Sequence, residues 1–145
     1  MPLTPYGKGS QTRGFLPLRD SMQCLELAIK NPPKAGEYRV FNQFEETYNV
    51  YELAEKVKKV GDKHGLNVEI NPLENPRIED EEHYFNPDHQ HLLDLGYKPT
   101  TDMEAEIDLM FKDLEPHKER IQSREDCLIP NIRWDGSREQ SKYLK

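Results

Sequence analysis

The stretch Tyr6-Gly7-Lys8-Gly9-Ser10-Gln11-Thr12-Arg13-Gly14-Phe15 constrains the fold and the chemistry of this 145-residue chain most strongly. Its glycines permit close backbone approach, Gln11 and Thr12 offer hydrogen bonds, and Arg13 offers a planar guanidinium suited to phosphate oxygens. The spacing matches neither the dinucleotide-binding fingerprint nor the phosphate loop that ends in Lys-Ser or Lys-Thr. We interpret residues 6–13, the glycine loop, as one wall of an anion-binding pocket, and the alternative is an ordinary surface loop.

The composition predicts one domain with a small core. Hydrophobic residues make up 34% of the chain and charged residues 32%, against an average of roughly 45–50% apolar residues when glycine is counted. A net charge of −7 without a clustered basic face argues against nucleic acid as a partner. No apolar run or signal peptide indicates a membrane, and Cys24 and Cys127 indicate no disulfide framework. The expected location is the cytoplasm, or the chloroplast stroma if the source is a plant or an alga.

Short strands and helices alternate in the first half of the chain, which predicts an α/β fold. Phe15 and Leu16 begin a brief strand, and residues 37–42 and 67–70 are two further predicted strands. They are separated by helices and by turns rich in proline, glycine and asparagine.

The first predicted helix runs from about residue 18 to residue 30. Asp20 is its expected N-cap. Met22, Leu25 and Ile29 recur at helical spacing, so we expect them to form its buried stripe.

The second predicted helix is the clearest element of the sequence. Asn49 and Glu52 have the spacing of a capping box, and Gly65 ends the helix. Its inward positions at helical spacing are Val50, Leu53, Val57, Val60 and His64.

Two more helices are predicted in the second half. One starts at the cap Asn86 with Pro87 in its first turn, and the other starts at a capping box of Thr101 and Glu104. Their expected inward residues are Leu92, Leu93 and Leu95 in the first and Met103, Ile107, Met110, Phe111 and Leu114 in the second. Pro116 should break the last helix. Residues 1–122 are the predicted lobe, and residues 123–145 are a predicted tail, extended or partly disordered.

Arg77, which follows a proline, is a second candidate anion ligand. Residues 79–82 place four carboxylates beside it, so the alternative is a solvated acidic segment with weak ion pairs. His83, His89 and His91, together with Glu82, suggest a metal site, but His89 and His91 are two residues apart and would point to different faces of a helix. No metal ligand is therefore assigned.

Five separated motifs resemble the carboxyl-terminal third of the UDP-sulfoquinovose synthase family. In chain order they are residues 2–14, Arg19-Asp20, residues 34–44, residues 75–77 and residues 81–86. The family belongs to the extended short-chain dehydrogenases, which include NAD-dependent nucleotide-sugar epimerases and dehydratases. The resemblance therefore implies a small α+β-like substrate-binding lobe with short strands and about four helices.

The resemblance also implies a function for the whole enzyme. UDP-glucose and sulfite are converted to UDP-sulfoquinovose, a precursor for sulfolipid biosynthesis, with NAD held by an amino-terminal Rossmann domain. Arg13 and Arg77 match the arginines that contact the pyrophosphate, so they would form a clamp. The other implied contacts are Leu3, Thr4 and Tyr6 near the uracil and Gln11 and Thr12 near the phosphates or the sugar.

The family's catalytic Tyr-x-x-x-Lys pair and its glycine fingerprint for NAD do not occur in this sequence. No catalytic residue is assigned, and the chain alone is not expected to be active. A complementing Rossmann-domain chain and a homodimer are the expected assemblies. The alternative is a stand-alone, non-catalytic module that binds a nucleotide-sugar or a partner protein. An isolated lobe is expected to expose the apolar faces of Phe15, Leu16, Val40 and Phe41.

Overall fold

An antiparallel pair of short strands begins at the end of the glycine loop, whose last two residues are the first two of the first strand. The computed structural model describes residues 2–75, 85–124 and 127. Strand β1 (Thr12–Phe15) pairs with β2 (Glu46–Asn49), with Thr12 opposite Asn49 and Phe15 opposite Glu46. The helices of the described residues are α1 (Leu18–Lys30), α2 (Val50–Lys63), α3 (Gln90–Asp94), α4 (Met103–Leu114) and α5 (Lys118–Gln122). The predicted α/β class is confirmed.

The core consists of two small apolar centres. In the first, Cys24 of α1 packs with Leu92 of α3 and with Tyr97, and Leu16, Leu27 and Phe41 pack around them. In the second, α2 and α4 pack together and bury the side chains of Val60 and Ile107. Few side chains are fully buried, as the low apolar content predicts.

Helix α2 is as the sequence predicts. The Asn49 side chain accepts a hydrogen bond from the Glu52 N–H at 2.8 Å, and the Glu52 carboxylate accepts one from the Asn49 N–H at 2.8 Å. These two bonds complete the capping box. Gly65 has a φ of 73°, which suits a glycine directly after a helix.

Helix α1 has the predicted length but not the predicted cap or buried face. Its N-cap is Pro17, because Asp20 lies inside the first turn and is fully buried. The predicted inward stripe faces outward: Met22 is 57% exposed, Leu25 46% and Ile29 78%. The prediction was wrong because α1 is apolar on two sides and Cys24 lies on the side that packs inward.

The two other predicted strands are absent from the described residues. Residues 37–42 form an irregular segment after a turn at residues 35–36, and Tyr38 is 90% exposed. In residues 67–70 only Ile70 makes a bridge, to Leu3. The partner of β1 is instead β2, which the sequence did not single out.

The starts of α3 and α4 also differ from the predictions. Helix α3 begins at Gln90, after an N-cap at His89, and not at Asn86. The cap of α4 is Asp102, whose side chain accepts a hydrogen bond from the Ala105 N–H at 2.9 Å, and not Thr101. Each of these helices therefore begins later in the sequence than predicted and is shorter at its amino-terminal end.

Burial along α3 and α4 agrees with the predictions only in part. Leu92 and Ile107 are buried as expected, but Leu93, Met110 and Leu114 are exposed. After α4, Pro116 lies in a 3₁₀ turn (Glu115–His117) that separates α4 from α5, so the predicted break is confirmed. No helix in the described part of the chain is both long and apolar enough to cross a membrane.

Candidate functional site

The glycine loop is held by its backbone against the start of α2. The Gly9 carbonyl accepts hydrogen bonds from the N–H groups of Val50 at 3.0 Å and Tyr51 at 3.3 Å. Gly7 and Gly9 have φ values of 63° and 65°, in the left-handed region that side chains disfavour. A Cβ atom on Gly9 would lie 2.3 Å from the Tyr51 ring. Glycine is therefore required at position 9 by both backbone conformation and space.

A short parallel ladder joins the start of the loop to residues 69–73. The Leu3 N–H donates to the Glu69 carbonyl, and the Leu3 carbonyl accepts from the Asn71 N–H, both at 2.8 Å. Further along, the Leu73 N–H donates to the Pro5 carbonyl and the Gly7 N–H donates to the Leu73 carbonyl, again at 2.8 Å. These four bonds fix Thr4 and Tyr6 beside this second segment.

Gly7 brings the loop into contact with Asn75. A Cβ atom on Gly7 would lie 3.2 Å from the Asn75 Cβ atom, which indicates close packing of the two segments. Asn75 is two residues before Arg77 in the sequence. Arg77 itself lies outside the described residues, as do Glu82 and His83.

Arg13 lies at the other end of the glycine loop, on β1 and opposite Tyr48. Its side chain is exposed, and one guanidinium N–H donates to the Thr12 carbonyl at 2.7 Å. Within the described ranges no carboxylate forms an ion pair with it. The neighbouring Thr12 is half-buried and pairs with Asn49, and Gln11 is half-buried just before the strand.

Tyr48 and Lys56 are neighbours of this site that the sequence did not reveal. The Lys56 ammonium lies 4.9 Å from the centre of the Tyr48 ring, and the Tyr48 hydroxyl donates a hydrogen bond to Glu46. Burial, together with that hydrogen bond and the nearby carboxylates, raises the pKa of Tyr48 to about 12. The only sequence signal for β2 was the pair of strand-forming residues, Thr47 and Tyr48, directly before the α2 capping box.

Tyr6 at the loop entrance is a neutral hydrogen-bonding group. Burial raises the pKa of its hydroxyl above the usual value of about 10. It therefore remains a donor near neutral pH.

The start of α2 is not itself an anion site. Its first free N–H groups, those of Val50 and Tyr51, are bound by the Gly9 carbonyl, and the Glu52 N–H is bound by the Asn49 side chain. The start of the helix therefore positions the glycine loop, and none of these three N–H groups is left unpaired to bind a ligand.

His89 and His91, the two candidate metal ligands among the described residues, have local partners. His89 has its Nδ1 atom 2.6 Å from the Phe44 carbonyl and stacks on the Phe44 ring. His91 has its Nδ1 atom 3.3 Å from the Val40 carbonyl. In the described part of the chain no three His, Cys, Asp or Glu side chains converge as metal ligands.

No family model matches this chain. Among solved structures, UDP-glucuronic acid 4-epimerase from Bacillus cereus, in complex with UDP-glucuronic acid and NAD, matches 73% of this chain and 32% of its own, with a TM-score of 0.57 and 23% identity. dTDP-glucose 4,6-dehydratase from Bacillus anthracis, in complex with NAD, matches 81% of this chain and 36% of its own, with a TM-score of 0.63 and 15% identity. The chain therefore has the fold of part of an NAD-dependent nucleotide-sugar epimerase or dehydratase.

The sequence is similar to that of UDP-sulfoquinovose synthase. It is 52% identical to the enzyme of Sulfolobus acidocaldarius over 134 residues, which are 92% of this chain and 34% of the relative. It is 49% identical to the chloroplastic enzyme of Spinacia oleracea over 133 residues, 92% of this chain and 27% of the relative. The predicted resemblance is confirmed, and the chain spans about a third or less of the length of these relatives.

Proposed function

We propose that this chain is the nucleotide-sugar-binding lobe of a UDP-sulfoquinovose synthase. In this proposal Arg13 and Arg77 bind the diphosphate of UDP-glucose from two loops, and Thr4 and Tyr6 lie beside the uracil. Gln11 and Thr12 complete the site near the phosphates or the sugar. In the whole enzyme the bound UDP-glucose reacts with sulfite to give UDP-sulfoquinovose.

The observation that supports this proposal best is the pairing of residues 3–7, which lead into the glycine loop, with residues 69–75. Four backbone hydrogen bonds and the Gly7–Asn75 contact join two segments that lie more than sixty residues apart in the sequence. The first segment leads into the loop that carries Arg13, and the second ends two residues before Arg77 in the sequence. These are the two arginines that the resemblance assigns to the pyrophosphate.

The state of Arg13 is consistent with a ligand contact. It is exposed, and no carboxylate of the described residues neutralises it. A guanidinium binds phosphate oxygens through two parallel hydrogen bonds, and two such groups on separate loops can hold a diphosphate from both sides. The neutral Tyr6 hydroxyl offers a donor at the other end of the loop.

In this proposal NAD does not bind to this lobe. The described sheet has two antiparallel strands, whereas a dinucleotide binds at the carboxyl ends of parallel strands in an open sheet. The cofactor and the proton-transfer residues would belong to another part of the enzyme. This lobe would bind and orient the substrate.

The proposal is tested by calorimetry with UDP-glucose on the folded chain. Arg13→Ala and Arg77→Ala should each weaken binding by about tenfold to a hundredfold, because each removes a charge-assisted hydrogen bond worth roughly 1.5–3 kcal/mol. UDP should compete with UDP-glucose, whereas glucose should not.

Lys34→Ala is the matched control, since it removes one exposed cation that belongs neither to the glycine loop nor to residues 69–77. Its affinity should equal that of the wild type. Equal affinities for the wild type and both arginine variants would contradict the clamp. A lack of binding by a wild-type sample with the circular dichroism of a folded protein would contradict binding by the lobe alone.

A further inference from the structure

The outer face of α1 is an exposed apolar stripe that the lobe leaves uncovered. Its members recur at i, i+4, i+7 and i+11, which places them on one side of the helix. They are Leu18, 79% exposed, Met22, 57%, Leu25, 46%, and Ile29, 78%. We call these four residues the α1 stripe.

The opposite side of α1 is already occupied by the core. Cys24 and Leu27 contact the Leu92 and Tyr97 cluster, and Asp20 is buried beside them. A surface helix of a globular protein has one apolar side, and a helix that is apolar on both sides is covered on both. The α1 stripe therefore has the composition of a buried surface.

Polar groups border the stripe, as at the rim of a protein interface. Arg19 pairs with Glu106 at 3.1 Å, and Lys30 pairs with Glu26 at 2.5 Å along the same edge. On the other edge the Ser21 hydroxyl donates to the Gln43 side chain at 2.9 Å. An apolar centre with a polar, internally paired rim is the arrangement of an interface between folded domains.

We propose that the α1 stripe is the docking surface for the part of the enzyme that lies outside the matched segment. The chain covers 34% and 27% of the length of its two relatives, so in an enzyme of their length about two thirds of the polypeptide lies outside the matched segment. The partner is thus a folded domain with an apolar surface, on the same polypeptide or on a separate one. This inference concerns a different surface from the glycine loop and does not depend on ligand binding there.

The first experiment mixes this chain with the complementary two thirds of the Sulfolobus acidocaldarius enzyme. Sedimentation should show a one-to-one complex, and the double variant Met22→Glu, Leu25→Glu should weaken it at least tenfold. The control is the double variant Met110→Glu, Leu114→Glu on α4. These side chains are 57% and 47% exposed, nearly the same as Met22 and Leu25. The control should bind as the wild type does.

Two results would overturn the proposal. One is an α1 variant that binds the complementary part as tightly as the wild type. The other is a wild-type chain that forms a homodimer through α1, broken by the α1 variant, with no effect on the complementary part. In the second case the occupant of the stripe is a second copy of this chain.

A second experiment does not require the complementary part to fold by itself. This chain replaces the matching third of the Sulfolobus acidocaldarius enzyme, and thiol labelling of Leu25→Cys is compared between the chimaera and the isolated chain, both carrying Cys127→Ser. Labelling should be at least tenfold slower in the chimaera, while the exposed α2 position Glu55→Cys labels at the same rate in both. Equal rates for Leu25→Cys would contradict the proposal.

Discussion

At the scale of the residue, a glycine and a buried carboxylate connect segments that are distant in the sequence. Gly9 connects the loop to α2 through a carbonyl that binds two helix N–H groups. Asp20 connects α1 to a segment eighty residues away: its carboxylate accepts from the Thr100 hydroxyl at 2.5 Å and from the Thr100 N–H at 3.1 Å. Both contacts join distant parts of the chain, so their loss should lower the stability of the whole lobe.

Gly9→Ala should destabilise the lobe more than Gly36→Ala. Both glycines have a left-handed φ, which costs alanine roughly 1–2 kcal/mol. Only at Gly9 does the new Cβ atom overlap the Tyr51 ring, whereas at Gly36 no atom lies within 4 Å. Thermal unfolding followed by circular dichroism measures the difference. Equal melting temperatures for the two variants would show that the Tyr51 contact is not maintained in solution.

Asp20→Asn should lower the free energy of unfolding by about 1–3 kcal/mol. The amide has one acceptor in place of two, so a donor on Thr100 loses its partner inside the protein. Asp62→Asn, at an exposed position of α2, is the control and should change stability by less than about 0.5 kcal/mol. Urea titration of both variants gives the comparison, and equal midpoints would contradict a structural role for Asp20.

At the scale of the element, the sequence predicts those helices and strands whose formation depends on neighbouring residues alone. Helix α2 was predicted because its capping box and its apolar repeat both lie within its own residues. The buried side of α1 could not be predicted from its own residues, since both sides are apolar and the choice depends on Leu92 and Tyr97. Strand β2 was missed for the same reason, because its pairing with β1 is a contact across more than thirty residues.

In the candidate site, too, some features follow from local sequence and others depend on tertiary contacts. The glycine loop and its cation were recognisable from residue types alone. The ladder between Leu3 and Ile70, and the position of Tyr48 opposite Arg13, depend on tertiary contacts that no local pattern specifies. The role of Arg77 comes from the resemblance and stays a prediction.

The contact between α2 and α4 should weaken at acid pH. Hydrogen bonding to Lys59 lowers the pKa of Glu104, and hydrogen bonding to Lys112 and His64 lowers that of Asp108. A carboxyl group whose pKa is lower in the folded state binds protons more readily when unfolded. Its stabilisation is present above the ordinary pKa of about 4 and is lost as the pH falls below it.

Melting temperatures between pH 5.5 and pH 3 measure this effect. The double variant Glu104→Gln, Asp108→Asn should lose less stability across this interval than the wild type does. Asp113→Asn is the control on α4 and should follow the wild type. High salt should reduce the difference, because these groups are at the surface and are screened. A pH dependence that is the same in the double variant and the wild type would contradict the assignment.

At the scale of the whole molecule, the two proposed functional surfaces of the lobe do not overlap in sequence. The glycine loop with residues 69–75 is the proposed nucleotide-sugar site, and the α1 stripe is the proposed docking surface. The proposal for the first surface rests on the similarity to UDP-sulfoquinovose synthase, which extends over 92% of the chain. The second follows from the exposure of α1. Of the four side chains expected to be exposed, Val40 is 55% exposed, whereas Phe15, Leu16 and Phe41 are half-buried within the lobe.

The central claim is that the glycine loop and the segment leading to Arg77 form one UDP-binding site. The most direct measurement is an NMR titration of the labelled chain with UDP, read at the backbone amides. The claim predicts saturable shifts of residues 6–13 and 71–77, with those of α5 unchanged. Shifts confined to another surface, such as the lysines of α2, would contradict the claim even if UDP binds.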